Sequence, residues 1–95
     1  MPSAWQRMAA IGIALASAAA IAMVDVNRAN RAQLEAVRGV GTELAERILV
    51  ARQQGPFEDW ADLIARVPGL GPASAARLSA AGLTVGGQAY PGERR

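Results

Sequence analysis

Ninety-five residues with a formal net charge of +2 make room for one small domain, and with the apolar N-terminal stretch set aside about 60 residues remain, a marginal size for one core. The chain has no Cys and no His, which excludes disulfides, Cys/His metal sites and thiol or imidazole catalysis, and with them most hydrolytic enzymes. All ten basic residues are Arg, and removing Arg7 with the N-terminal stretch leaves nine against eight acidic residues, less than expected of a protein that holds polyanions by bulk charge alone.

Met8 to Val24 carries no charge and is rich in Ala, with Trp5 and Arg7 before it and Asp25 after it. A positive start, an apolar stretch and the A-x-A runs Ala18-Ala19-Ala20 and Ala20-Ile21-Ala22 fit a secretory signal over residues 1–22, cleaved after Ala22. The competing reading is an uncleaved membrane anchor, for which these 17 residues lie at the lower edge of the spanning range. A buried helix fits poorly, because the run is apolar on every face and the remaining domain is too small to cover it. Both readings place the domain outside the cytoplasm.

The body, residues 24–85, opens with an extended lead, Val24-Asp25-Val26-Asn27. Asn30 and Gln33 form a capping-box pattern, predicting a helix from Arg31 to about Val37 with Leu34 and Val37 inward. After Gly39-Val40-Gly41, Thr42 is placed to cap a longer helix to about Gln53, stopped by Gly55-Pro56. Asp59, with Asp62 at the N3 position, predicts a third helix through about Arg66. After Gly69-Leu70-Gly71, Pro72 fits the first turn of a fourth helix that ends near Ala81, with Gly82 as its C-terminal glycine. Leu83-Thr84-Val85 packs back on the core, and the composition of residues 86–95 predicts a disordered tail.

The two glycine turns lie 30 positions apart and are each followed by Ala and Arg at one offset, Ala45 and Arg47, Ala75 and Arg77. Overlaying Leu34–Ile48 on Ile64–Leu78 also matches Val37 with Val67 and Val40 with Leu70. This is a duplicated unit, and the fold class expected is all-α, four short helices sharing one core. Glycine reaches positive φ without steric cost, and the helix N-terminus after each turn is a natural anion site. The candidate site is therefore the backbone of Gly39, Val40, Gly41 and Thr42 and of Gly69, Leu70 and Gly71. Arg38, Arg47 and Arg77 add charge, and Arg28 and Arg31 are secondary candidates.

Three features together resemble the tandem helix-hairpin-helix domain of the ComEA competence family. They are the lead Val26-Asn27-Arg28-Ala29-Asn30, the two hairpins, and Gly55-Pro56-Phe57 before Asp62-Leu63 with the closing Leu83-Thr84-Val85. The resemblance implies a non-catalytic protein, in the periplasm or anchored to the inner membrane, that binds double-stranded DNA through phosphates during DNA uptake. It implies DNA-uptake channel or pilus components and self-association along DNA as further partners, and no cofactor; related hairpins sometimes hold a monovalent cation. The chain departs from the family pattern in lacking Lys two residues past each second glycine, where Glu43 and Ala73 stand, and in having Arg38 where Pro is common. An alternative is a protein-interaction module on the same fold. A nuclease has no compact acidic or nucleophilic constellation to use: Glu58, Asp59 and Asp62 read as caps. Trp60, in a first helical turn beside Phe57, reads as packing across the units rather than base stacking.

Overall fold

The computed structural model describes residues 22–92. The expected signal or anchor, up to residue 21, and residues 93–95 of the expected tail lie outside the described residues. The elements in order are β1 Val24–Asp25, α1 Arg31–Glu35, α2 Thr42–Arg52, α3 Trp60–Arg66, α4 Pro72–Ala80 and β2 Leu83–Thr84. This is the small helical architecture expected, with four helices and one two-stranded sheet.

Local chemistry explains where the helices start. Asn30 accepts from the Gln33 amide while the Gln33 side chain accepts from the Asn30 amide, a complete capping box at α1. α1 ends earlier than expected, at Glu35 with Ala36 as C-cap, because the chain is already turning into the hairpin. Asp59 caps α3 by accepting from the Asp62 amide at 2.8 Å. The return bond from Asp62 goes to the amide of Glu58 rather than to that of Asp59, one residue outside the expected box. Thr42 is not a cap: Gly41 has the extended N-cap backbone, and Thr42 is the first helical residue. Pro72 does stand at the start of α4, after the N-cap Gly71.

The duplication is visible in the core, with a correction. Val37 and Val67, Val40 and Leu70, Ala45 and Ala75, and Ile48 and Leu78 are all buried as equivalent pairs. Leu34, however, has Leu63 as its counterpart and not Ile64. Leu34 and Leu63 each stand four residues after an N-cap and are fully buried, whereas Ile64 is half-exposed. The first helices thus repeat at 29 residues and the turns at 30, so α3 carries one extra residue before its hairpin.

The edges of the domain close on each other. β1 and β2 pair in parallel, Val24 opposite Leu83 and Asp25 opposite Thr84. Residues 86–92, expected to be disordered, instead turn back and pack. Val85 and Gln88 form a bridge, the Trp60 indole N–H donates to the Gln88 carbonyl at 2.8 Å, and Tyr90 meets Trp60 edge-on at 5.4 Å. A tail of Gly and Gln has little propensity of its own, but the indole needs a partner for its N–H when buried. Asp25 adds to the closure by accepting from the Thr84 hydroxyl and the Gly87 amide. Burial alone would raise the Asp25 carboxyl, but the amides of Gly87 and Asn27, the Thr84 hydroxyl and nearby Arg28 outweigh it and hold it below its usual value.

Candidate nucleic-acid interface

Both hairpins are built the same way. The first glycine has positive φ, +98° at Gly39 and +86° at Gly69, which only glycine adopts cheaply. The turn then closes with the Val40 amide donating to the Val37 carbonyl at 3.0 Å and the Leu70 amide to the Val67 carbonyl at 3.3 Å. Val40 and Leu70 therefore anchor the turns, with buried side chains and spent amides; their expected role as backbone donors to a ligand is corrected. Gly41 and Gly71 follow in extended conformation as the N-caps of α2 and α4.

Caps distinguish the two kinds of helix in each unit. α1 and α3 have side-chain caps, whereas α2 and α4 have none. Among the described residues the amides of Gly41, Thr42 and Gly71 make no hydrogen bond. Orphan N–H groups at a helix start, together with the positive end of the helix dipole, favour an anion there.

The two turns face a common groove of about 410 Å³. It is lined by repeat-equivalent pairs, Gly39 with Gly69, Leu44 with Ser74 and Arg47 with Arg77, and by Arg38. The three candidate arginines and both first glycines are thus brought together, with no acidic residue in the lining. Arg38 is exposed and enters none of the ion pairs among the described residues. Arg47 lies 3.8 Å from Glu43, whose side chain is 88% exposed. Arg77 reaches only Ser74 of its own helix, at 3.4 Å.

Arg28 and Arg31 fall outside the groove. Arg31 pairs with Glu46 of α2 and, at 3.9 Å, with Glu35; the bond to Glu46 raises the guanidinium's already high pKa. Arg28 lines a separate hollow with Met23, Asp25 and Thr84. Two arginines not assigned from the sequence hold the frame. Arg52 donates to the carbonyls of Val26 and Ala29 at 2.9 and 2.7 Å. Arg66 donates to those of Ala51, Gly55 and Pro56 and lies 4.4 Å from the Phe57 ring centre. The signal available for Arg66 is Asp62 one helical turn earlier, which it bonds at 3.0 Å. The Glu58 amide first, then Arg66, holds the Asp62 carboxyl below its usual value. Trp60 is buried, so it packs and does not present a stacking face.

Helix pairs joined by glycine hairpins, with an arginine-lined groove at the first glycines of both turns and helix starts that have no side-chain cap, define a nucleic-acid-binding class of fold. Residues 19–81 match the family model described as the helix-hairpin-helix motif, and the chain belongs to that DNA-binding family. No curated protein and no solved structure matches it.

Proposed function

We propose that this protein is an exported, non-catalytic receptor for double-stranded DNA that acts in DNA uptake, as the ComEA-type competence proteins it resembles do. The observation that carries the DNA-binding part is the groove that brings Arg38, Arg47 and Arg77 together with the first glycine of each hairpin, two residues before the N-caps Gly41 and Gly71 of helices that have no side-chain cap. Contacts from backbone amides and arginines reach phosphates and position a duplex without reading its sequence. Uptake and a periplasmic or membrane-attached location rest on the uncharged, Ala-rich run of Met8 to Val24 and on the family resemblance. A receptor on the far side of a pore draws the polymer inward by occupying each stretch that emerges and preventing backsliding.

The test is fluorescence anisotropy of the full chain with labelled duplexes of unrelated sequence. With three phosphates neutralised at about 0.9 log units each, affinity falls ~40-fold between 50 and 200 mM salt. Equal affinity for all duplexes is expected. No binding at 50 mM salt overturns DNA binding and leaves the same fold as a protein-interaction module, a reading that the exposed Glu43 at the first hairpin favours. Cell fractionation and N-terminal sequencing of the mature protein test export, which predicts a new terminus at Met23.

A further inference from the structure

The second hairpin has a charge deficit that its own residues do not fill. From Pro68 through Ala76 there is no ionisable side chain, and Pro72 at the start of α4 has no N–H to offer. Its nearest arginine in sequence, Arg66, is engaged by Asp62 and the carbonyls of Ala51, Gly55 and Pro56, and the next, Arg77, is turned to Ser74 on its own helix. The first hairpin differs, because Arg38 directly precedes its first glycine.

We propose that Arg47, carried by α2 of the first unit, is the phosphate-binding charge of the second hairpin, delivered across the groove. This rests on the DNA-binding reading above and assigns the residue that completes its second half-site. The Arg47 Nη1 atom stands 3.0 Å from where a Cβ on Gly69 would be and 3.5 Å from the Pro68 carbonyl. The guanidinium thus lies over the second turn, in space that exists because residue 69 is glycine. Both of its polar contacts are long, 3.5 Å to Pro68 and 3.8 Å to the exposed Glu43. A guanidinium has five N–H donors in a planar fork, so most of them remain to grip a phosphate, and charge-assisted bonds to phosphate are stronger than these contacts.

The exchange runs one way. At the equivalent place in the first turn, a Cβ on Gly39 would meet the Leu78 methyl at 3.1 Å and no arginine. Each hairpin then has one arginine over its turn or at its shoulder, Arg38 for the first and Arg47 for the second, while Arg77 flanks the groove. Glu43, from the first unit, competes with phosphate for Arg47 and so links the two half-sites.

Amide chemical-shift mapping of the full chain during titration with a 20-base-pair duplex tests the assignment. Shifts at Gly41 and Gly71 in the wild type establish that both hairpins engage DNA; their absence overturns the binding reading itself and the assignment with it. Given those shifts, Arg47→Ala is expected to abolish the response of Gly69 and Gly71, retain that of Gly39 and Gly41, and reduce the salt slope by about 0.9. Arg47→Lys should restore part of the second-hairpin response. Ala73→Lys in the Arg47→Ala background should restore it by charge from α4 itself. An Arg47→Ala variant whose second hairpin still responds, or whose first hairpin is the one silenced, overturns the assignment.

Discussion

The two hairpin units share a backbone but not an electrostatic design. Each has a positive-φ glycine, a buried aliphatic residue and an extended glycine as N-cap. The first is bordered by Arg38 and Glu43, whereas the second is bordered by Pro68 and Ala73. Duplication has kept what the turn needs sterically, where a wrong residue breaks the fold, and has let the charges diverge. Charge acts over several ångströms and need not come from the same segment, so Arg47 can lie over a turn 22 positions further along the chain.

The comparison is broken most strongly in the core. Leu34→Ala and Leu63→Ala should each destabilise the fold by about 2–5 kcal/mol in chemical denaturation. Ile64→Ala should cost clearly less, because its side chain is only half-buried; equal costs at 63 and 64 would restore the constant 30-residue register. Next come the glycines. Alanine at Gly39 or Gly69 meets a positive φ, a strain of about 1–3 kcal/mol. Gly39→Ala should be the worse of the two, since it also presses on buried Leu78, whereas Gly69→Ala displaces only the mobile end of Arg47. A smaller effect concerns binding: Glu43→Gln releases Arg47 from a pair worth at most about 1 kcal/mol, so DNA affinity should rise up to about fivefold at low salt, with no comparable gain from Glu35→Gln.

The smallest effect separates the units by acid. The first unit is capped by Asn30 and Gln33, which do not titrate, and the second by Asp59 and Asp62. The Asp62 carboxyl is held below its usual value, so its stabilising bonds are fully present above the ordinary carboxylate range and are lost as pH falls through the folded value. Hydrogen exchange near pH 3, corrected for intrinsic rates and compared with pH 6, should show α3 losing protection before α1. Loss of protection in α1 first would contradict this order.

What was readable from sequence is local. The capping box at Asn30 and Gln33, the cap at Asp59, Pro72 at a helix start and both glycine turns each depend on residues within a few positions, where backbone geometry alone selects the side chain. What was not readable depends on residues that only folding brings together. Nothing near Arg52 marks it as a donor to the carbonyls of Val26 and Ala29, and Asp62 announces an ion pair for Arg66 but not its bonds to the carbonyls of Ala51, Gly55 and Pro56; otherwise both look in sequence like Arg47 and Arg77, which do face the groove. The strap over Trp60 was invisible for the same reason, since Gln88 contributes its backbone carbonyl and not its side chain. Val40 and Leu70 show the limit within the site itself: the G-h-G pattern reveals the turn, but not that the middle amide is consumed in closing it.

The parallel pairing of β1 with β2 acquires a meaning when the molecule is considered under load. The upstream chain enters at the N-terminal end of β1 and the downstream chain leaves at the C-terminal end of β2, and parallel strands place those two points at opposite ends of the ribbon. Traction between them shears the strands along their length. The bonds from Val24 to Gly82 and from Val26 to Thr84, with Asp25 holding Thr84 and Gly87, then bear the force together and do not unzip one after another.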